Sequence, residues 1–294
     1  MKYRHAYHAG NFADVHKHLV LIALLRLLKR KDKGFLYLDT HAGRGLYDLE
    51  SVEARRSDEA SAGITRLLDE ARLDPPLSAP MHEDLDDYLQ TVRSIRSQTR
   101  SRSAYPGSPL IALSHLRAQD RAVLVETQES EHRALREALR SVSSSAKTSD
   151  ECADGYARVA SWLPPIERRA LVLIDPPYEN ASEDLRRVRS TLQEALRRLP
   201  HAVIAVWYPI ASGRDTDREI AACRGELPAP PDAEMTATLL TEWWIRPRES
   251  PLGLNGSGLL IVNPPWGLDE RLRADLAALQ HHLDPQHAGG WYVG

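Results

Sequence analysis

The tetrapeptide Asp175-Pro176-Pro177-Tyr178 is the segment whose residue types point most clearly to chemistry. An amino group on an aromatic ring is a poor nucleophile, because its lone pair is delocalised. Acceptors on its two N–H groups can turn the lone pair toward a methyl donor. The Asp175 carboxylate and the rigidly held Pro176 carbonyl suit this task, while the Tyr178 ring can stack on a base. The segment predicts methylation of an exocyclic amino nitrogen of a nucleobase, with Asp175, Pro176 and Tyr178 catalytic and Pro177 on the substrate side.

A proline pair after a strand is also typical of a rigid turn without a chemical role. A second such segment, Asn263-Pro264-Pro265-Trp266, follows a late apolar run. The Asp175 copy follows the clearest apolar run, 171–174, and comes after three candidate cofactor strands, whereas the Asn263 copy ends the last strand. We therefore expect the Asn263 copy to be structural or to form a wall of the base pocket.

Acidic residues follow the apolar runs that predict the other parallel strands. Asp39 follows 35–38, Glu126 follows 122–125, and Asp154 ends a weaker strand. Ligands of such sheets bind beyond the carboxyl ends of the strands, so we expect these acids to face a cofactor. Glu126 can accept hydrogen bonds from both ribose hydroxyls of an adenosine, and Asp154 with Gly155 can contact its adenine.

The turn after the first strand, 39–45, has the pattern D-x-x-x-G-x-G. Gly43 and Gly45 permit a close approach of the backbone to a ligand. A dinucleotide-binding enzyme would have a third glycine and a helix directly after the turn, and the sequence indicates neither. S-adenosylmethionine has no phosphate and requires neither, so the turn favours this cofactor, with Gly43 among its contacts.

Strands that alternate with helices predict an α/β protein with a mostly parallel sheet. The late strands 236–245 and 258–263 have no long helix between them, which indicates an antiparallel hairpin at the C-terminal side. These features predict a Rossmann-like class I methyltransferase fold with a seven-stranded sheet. An amphipathic helix at 11–31, capped by Asn11, precedes the first strand.

About sixty residues, rich in charged side chains and serine, separate the first strand from the helix that should follow it. We predict an inserted helical subdomain at 46–104 and a methyltransferase domain made of 1–45 and 105–294. Ser108 is expected to cap the delayed helix, 108–118.

The composition limits how the protein can contact a nucleic acid. The chain of 294 residues has a formal net charge of −3, so a contact that depends on charge must be local. Two basic runs are candidates, although each is equally typical of a solvated helix end. One contains Arg26, Lys29, Arg30, Lys31 and Lys33, and the other contains Arg93, Arg96, Arg100 and Arg102.

Other features set the expected compartment. The two cysteines have no metal-ligand spacing and the histidines form no zinc pattern, so we expect no metal. The N-terminus shows no signal-peptide pattern, and the longest apolar run, 19–28, is too short to span a bilayer. We expect a cytoplasmic protein without a membrane partner.

Taken together with these motifs, the sequence resembles the RlmJ family over essentially its whole length. The segments between Tyr3 and His18 are the most specific part, because generic methyltransferases lack them. The resemblance also rests on Phe35 to Gly43, Tyr105 to Ala112, Ala153 to Gly155, Leu173 to Tyr178, Trp207 to Pro209 and Asn263 to Trp266.

The resemblance implies a methyltransferase with a helical insertion that uses S-adenosylmethionine to methylate the N6 nitrogen of one adenine, adenine 2030, in 23S ribosomal RNA. The expected partner is 23S rRNA, free or partly assembled, and we expect a monomer. Asp175 would be the catalytic acid, and Tyr3, Arg4 and His5 would lie near the target base. The implied cofactor contacts are His18, His41, Ser108, Glu126, Asp154 and Gly155, although His18 by itself is more typical of a helix core.

Three other functions fit part of the pattern. A DNA adenine-N6 methyltransferase shares the Asp-Pro-Pro-Tyr motif but normally carries a sizeable recognition domain, and the insertion is short and polar. A glutamine-amide methyltransferase usually has Asn where this chain has Asp175. An RNA-binding protein with a vestigial fold would not need acids at every strand end on the cofactor side.

Overall fold

The computed structural model describes residues 4–69, 83–212, 216–231, 233–251, 253–284 and 286–294, without the side chain of residue 217. The strands are β1 (Leu36–Asp39), β2 (Leu46–Asp48), β3 (Ala104–Pro106), β4 (Arg121–Glu126), β5 (Lys147–Cys152), β6 (Ala170–Ile174), β7 (Val203–Ala211), β8 (Thr238–Trp244), β9 (Leu254–Val262) and β10 (Gly290–Val293). The helices are α1 (Phe12–Lys29), α2 (Val52–Ser57), α3 (Ile64–Leu68), α4 (Glu83–Thr99), α5 (Ser108–His115), α6 (Glu129–Ser141), α7 (Gly155–Trp162), α8 (Ala181–Arg198), α9 (Thr216–Gly225) and α10 (Leu268–Leu283). None of the described helices is both long and apolar enough to cross a membrane.

Within these residues, eight strands form one sheet in the order β10-β8-β9-β7-β6-β1-β4-β5. The strands from β7 to β5 in this order are parallel, whereas β9 runs antiparallel to both β7 and β8. The predicted α/β sheet with its antiparallel hairpin is therefore confirmed. The predicted number of seven strands is wrong by one, because the short C-terminal strand β10 pairs with the outer edge of β8.

Helix α1 is buried on nearly every side. Sixteen of its eighteen residues are buried, since it packs against β9 and the helices α4, α5 and α10. The amphipathic character predicted for it is therefore wrong, although Asn11 caps the helix as expected by accepting a hydrogen bond from the amide of Asp14. Inside such a helix each polar side chain needs a protein partner, because water does not reach it.

Three consecutive polar residues of α1 meet three different parts of the fold, since successive side chains of a helix point about 100° apart. His16 lies within hydrogen-bond distance of hydroxyl groups on β8 and β9. Lys17 contacts the loop after β6, and His18 contacts Tyr105 of β3. These contacts fix both the rotation and the height of α1 against the sheet.

The segment between β1 and α5 contains β2, α2, α3, α4 and β3, and α4 packs on both α1 and α5. The division into a subdomain at 46–104 and a domain made of 1–45 and 105–294 stays a prediction. The expected helix cap at Ser108 is wrong. Gly107 occupies the cap position of α5, and the Ser108 hydroxyl donates to Asp39 instead.

Strand direction separates the two Pro-Pro segments. Asp175 follows β6 at the carboxyl edge of the parallel strands. Asn263 follows the antiparallel β9, whose last residues pair with the start of β7, and therefore lies at the opposite edge. Its side chain donates to the carbonyls of Pro200 and Ala202, 2.8 and 2.9 Å away. The interpretation of the Asn263 copy as structural therefore fits, whereas the alternative prediction, that it forms a wall of the base pocket, is wrong.

The buried His16 makes folding sensitive to acid. Burial lowers its pKa from 6.5 to about 3, so between these values the unfolded chain binds a proton that the folded protein does not. Its contribution to stability is complete above about pH 6.5 and is lost as the pH falls. We expect the free energy of unfolding to decline less steeply with acidification in His16→Gln than in the unsubstituted protein.

Urea denaturation at several pH values measures this slope. The exposed His201 provides the control, because His201→Gln should keep the original slope. An unchanged slope in His16→Gln would contradict the assignment.

Candidate active site

The candidate site lies where β1, β4 and β6 end side by side. The strand register places Asp39 next to Leu124 and Leu173. Glu126 and Asp175 therefore follow at neighbouring strand ends, as the sequence predicts.

The Asp175 carboxylate is bound to Lys17, a buried residue of α1. Lys17 Nζ lies 2.6 Å from Asp175 Oδ2 and 2.9 Å from Asp14 Oδ1. Burial alone would lower the pKa of Lys17, but the carboxylates of Asp14 and Asp175 raise it well above its ordinary value. With the ammonium and both carboxylates charged, the three groups carry one net negative charge.

Lys17 is not among the site residues that the sequence predicts, although it lies in the N-terminal segments that resemble the RlmJ family. One signal was available. Lys17 lies inside an apolar helix three residues after Asp14, a spacing that brings two side chains together on a helix surface. A lysine in such a position needs an acidic partner, and the sequence alone does not show that Asp175 is the second one.

His5 joins this group from the N-terminal side. Its Nε2 lies 2.9 Å from Asp14 Oδ2, and its ring meets the ring of Tyr47 edge to face at 5.0 Å. Burial opposes ionisation of Asp14, but the neighbouring His5 and Lys17 hold its pKa well below the ordinary value. His5 is thus linked to Asp175 through Asp14 and Lys17.

The other predicted substrate contacts lie at the surface or outside the described residues. Arg4 is exposed and lies 3.6 Å from Glu53. Pro177 is exposed beside the buried Pro176. Tyr3 lies outside the described residues. The roles of these residues in substrate binding stay predictions.

The burial of Tyr178 contradicts the expectation that its ring stacks on a base. The side chain is 2% exposed, and its hydroxyl donates to the carbonyl of Trp207 at 2.7 Å. The backbone at Tyr178 has a φ of +51°, an uncommon conformation for a residue other than glycine. Trp207 is the half-buried aromatic residue beside the acid, with its ring centre 5.9 Å from Lys17 Nζ.

Asp39 ties the turn after β1 to helix α5. It is fully buried and accepts hydrogen bonds from the hydroxyls of Tyr37, at 2.8 Å, and Ser108, at 2.7 Å. Burial raises the pKa of Asp39 to about 6, and these two hydrogen bonds limit the rise. Ser108, a predicted cofactor contact, is thus held at the carboxyl edge by Asp39.

Glu126 and Gly43, two predicted cofactor contacts, are joined by a hydrogen bond. Glu126 Oε2 accepts a hydrogen bond from the Gly43 amide at 2.9 Å, and Oε1 accepts one from the Gln128 amide at 2.7 Å. Gly43 has a φ of +58°, and a Cβ there would lie 2.5 Å from the Tyr47 hydroxyl. Burial raises the pKa of Glu126. The glycine is required by the turn that brings this amide to the carboxylate.

His41 follows β1 and Asp154 follows β5 at the carboxyl edge of the sheet, and both contact Tyr156 of α7. His41 Nδ1 is 2.8 Å from Thr40 Oγ1, and its ring centre is 4.8 Å from that of Tyr156. Burial lowers the pKa of His41 to about 4, so the ring is neutral near pH 7. The Asp154 carboxylate accepts a hydrogen bond from the Tyr156 amide and pairs with Arg187. An adenine that contacts the Asp154 carboxylate must therefore bind it together with Arg187.

His18 lies in the core next to Lys17. Its Nδ1 is 2.8 Å from the hydroxyl of Tyr105, which in turn lies 2.8 Å from the hydroxyl of Tyr88. Burial lowers the pKa of His18 to about 3. The structure therefore agrees with the core position, and a cofactor contact of His18 stays a prediction.

A family model described as ribosomal RNA large subunit methyltransferase D, RlmJ, matches residues 32–294. The chain belongs to the RlmJ family. Proteins named ribosomal RNA large subunit methyltransferase J are similar to it along their whole length. The Haemophilus influenzae protein is 36% identical, covering 100% of this chain and 98% of its own, and the Escherichia coli protein is 37% identical, covering 98% and 96%.

A solved structure of a Legionella pneumophila protein is similar to this RlmJ-family chain with a TM-score of 0.83 at 29% identity, covering 98% of both chains. With the sheet order described above, these matches confirm the Rossmann-like class I methyltransferase fold.

Gly155 is held where the carbonyl of Thr40 meets the start of α7. A Cβ on Gly155 would lie 1.8 Å from the Thr40 oxygen, whereas nothing lies within 4 Å of a Cβ on Gly225. We expect Gly155→Ala to lower the free energy of unfolding by about 1–3 kcal/mol or more, because the added methyl group forces α7 from the turn after β1. Denaturation with guanidinium measures the change.

Gly225→Ala is the matched control and should change the free energy of unfolding by less than about 1 kcal/mol. Equal small effects of the two substitutions would show that the close approach at Gly155 is not a constraint.

Proposed function

We propose that this protein is an S-adenosylmethionine-dependent methyltransferase that methylates the N6 amino group of a specific adenine in 23S rRNA. The observation that carries the proposal is the state of Asp175. Its Oδ2 is bound to Lys17, while its Oδ1 accepts no hydrogen bond from the described residues. The names of the two RlmJ relatives support a large-subunit ribosomal RNA as the substrate.

The residues at the ends of β1 and β4 fit the adenosine part of S-adenosylmethionine. Each oxygen of Glu126 accepts one main-chain amide, and a carboxylate has further lone pairs for the two ribose hydroxyls. A neutral His41 does not repel a sulfonium cation, and the acids at these strand ends attract one. When bound, the cofactor supplies an electrophilic methyl group.

Asp175 orients the nucleophile and balances its charge. Its Oδ1 is available to accept an N–H of the adenine amino group, and the Pro176 carbonyl is the proposed acceptor of the other N–H. Positive charge develops on the nitrogen as it is methylated. The net negative charge of the group formed by Asp14, Lys17 and Asp175, whose side chains are 2%, 6% and 15% exposed, stabilises that charge. After transfer, Asp175 Oδ1 is positioned to take up the proton.

The finer assignments belong to the same proposal. They are adenine 2030 as the target, free or partly assembled 23S rRNA as the substrate, a monomeric enzyme and a cytoplasmic location. His18, His41, Gly43, Ser108, Glu126, Asp154 and Gly155 are proposed to line the cofactor site, and Tyr3, Arg4, His5 and Pro177 the substrate site. Trp207 is a better candidate than Tyr178 to face the base, because it is the more exposed ring.

Asp175→Asn tests the catalytic assignment, because it retains the shape of the side chain and removes its charge. We expect methyl transfer onto 23S rRNA that lacks the modification to fall by a factor of about 10²–10³ or more. Transfer of a tritiated methyl group measures the rate, and calorimetry checks that cofactor binding persists.

Asn263→Gly is the matched control, because glycine tolerates the φ of +53° at this position and the segment lies at the opposite edge of the sheet. This variant should keep its activity. If Asp175→Asn labels RNA as well as the unsubstituted protein does, the catalytic assignment is wrong. If only DNA is labelled, the substrate assignment is wrong.

Glu126→Gln tests the cofactor assignment. A hydrogen bond to a charged group is worth about 1.5–3 kcal/mol, so we expect the affinity for S-adenosylmethionine to fall roughly 10- to 100-fold, measured by calorimetry. Glu137→Gln on the exposed face of α6 should bind as before. The cofactor proposal fails if the unsubstituted protein does not bind S-adenosylmethionine, and the role of Glu126 fails if the two variants bind alike.

A further inference from the structure

A dense group of basic side chains lies at the amino ends of β1, β4 and β6, the edge of the sheet opposite Asp175. Arg121 is the first residue of β4, Arg169 directly precedes β6, and the loop from α1 to β1 lies beside both. We name this surface the amino-edge patch. It consists of Lys29, Arg30, Lys31, Lys33, Arg117, Arg121, Arg168 and Arg169.

Hydrogen bonds to main-chain oxygens hold the amino-edge patch together. Arg117 donates to the carbonyls of Lys29 and Lys31, at 3.3 and 3.2 Å. Arg169 donates to the carbonyl of Leu28 at 2.8 Å and to that of Lys33. Because these bonds use carbonyl groups of the end of α1 and of the loop after it, they leave the charged ends of the loop side chains unused.

The side chains at the centre of the patch are available to a ligand. Arg30, Lys31 and Lys33 are exposed, and none forms an ion pair with another residue in the part of the chain that the structure describes. Exposed cations that neither pair nor pack contribute little to folding. The stability of the fold therefore does not explain why these cations are concentrated at one place.

The charge of the amino-edge patch is opposite to that of the whole protein. Four carboxylates lie beside its eight cations. Asp120 and Glu167 are engaged by Arg117 and Arg121, Asp87 lies near Lys29, and the fourth is that of Asp32. The surface thus has an excess of four positive charges in a chain whose net charge is −3. Burial lowers the pKa of Arg169, and the like charge of the nearby Arg117 lowers it further.

The composition of the patch fits phosphate groups better than a protein surface. The centres of protein interfaces are apolar and depleted in charged side chains. Beside this patch the one large exposed hydrophobic residue among those described is Ile166. Closely spaced Lys and Arg side chains are what a nucleic-acid backbone binds, with release of its counterions.

The patch is too far from the catalytic acid to touch the target nucleotide. Arg169 and Asp175 are separated by the length of β6, and six residues at about 3.3 Å each span about 20 Å. A nucleic acid on the patch is therefore a different segment from the one that holds the target base.

We propose that the amino-edge patch is a docking site for the phosphate backbone of an RNA segment remote from the target adenine. The inference rests on the proposed function, since it assigns part of the binding of the same RNA to a second surface. In this arrangement the patch raises affinity for long, structured RNA and takes no part in methyl transfer.

The test compares two triple variants of the full chain. One neutralises the patch with Arg30→Gln, Lys31→Gln and Lys33→Gln, and the other removes three exposed charges elsewhere with Arg133→Gln, Arg136→Gln and Arg224→Gln. Filter binding to 23S rRNA is measured at several salt concentrations. Methylation kinetics and calorimetry with S-adenosylmethionine are measured on the same proteins.

For the patch variant we expect Kd to rise at least about tenfold at low salt, and the slope of log K against log salt to shrink by about 2, as for three lost phosphate contacts. KM for 23S rRNA should rise, whereas kcat and cofactor affinity should stay within about twofold. The control triple should bind with nearly the original slope.

Three results would overturn the docking site: an unchanged slope in the patch variant, an equal loss in the control triple, or a fall in kcat without a rise in KM. Failure of the proposed function looks different, because the binding assay needs no methyl transfer. A protein that binds rRNA through the patch but transfers no methyl group would refute the function and retain the docking site.

Discussion

A buried ammonium between two carboxylates is the interaction on which the site depends. Removing a lysine from water is costly unless opposite charges surround it, and Lys17 has Asp14 at 2.9 Å and Asp175 at 2.6 Å. Asp14 is one turn away on the same helix, whereas Asp175 comes from the far end of β6. The pairing therefore requires α1 to lie against the carboxyl edge of the sheet, and it leaves Asp175 with one oxygen bound to Lys17 and the other available.

The same interaction links the N-terminal segment, and through it the segment between β1 and α5, to Asp175. His5 binds Asp14, and His8 and Asn11 bind Glu59, which lies between α2 and α3. The charge at Asp14 is thus shared by the lysine and by the segment that precedes α1. A change in either one alters the electrostatic environment of Asp175, and Glu59 acts on that environment through the N-terminal segment.

The parts of the site that the sequence predicts are those that lie at the ends of parallel strands. Asp39, Glu126 and Asp175 follow apolar runs, and a parallel sheet brings the carboxyl ends of its strands together whatever the structure of the connecting loops. Lys17 could not be assigned, because its partner is 158 residues away and an apolar pattern does not distinguish a helix buried all round from one with a solvated face. The burial of Tyr178 depends on an uncommon φ that its residue type does not reveal. Strand β10 is too short to give a recognisable pattern. The Ser108 hydroxyl donates a hydrogen bond to Asp39, 69 residues away, and does not cap its own helix.

The three polar contacts of α1 also limit how this protein can evolve. Adding or deleting one residue between the cap at Asn11 and His16 would turn the rest of the helix by about 100°. His16, Lys17 and His18 would then all leave their partners at once, which lie on β8, in the loop after β6 and on β3. Length changes should therefore be rare in the first half of α1, where substitutions can be accepted one at a time but gaps cannot.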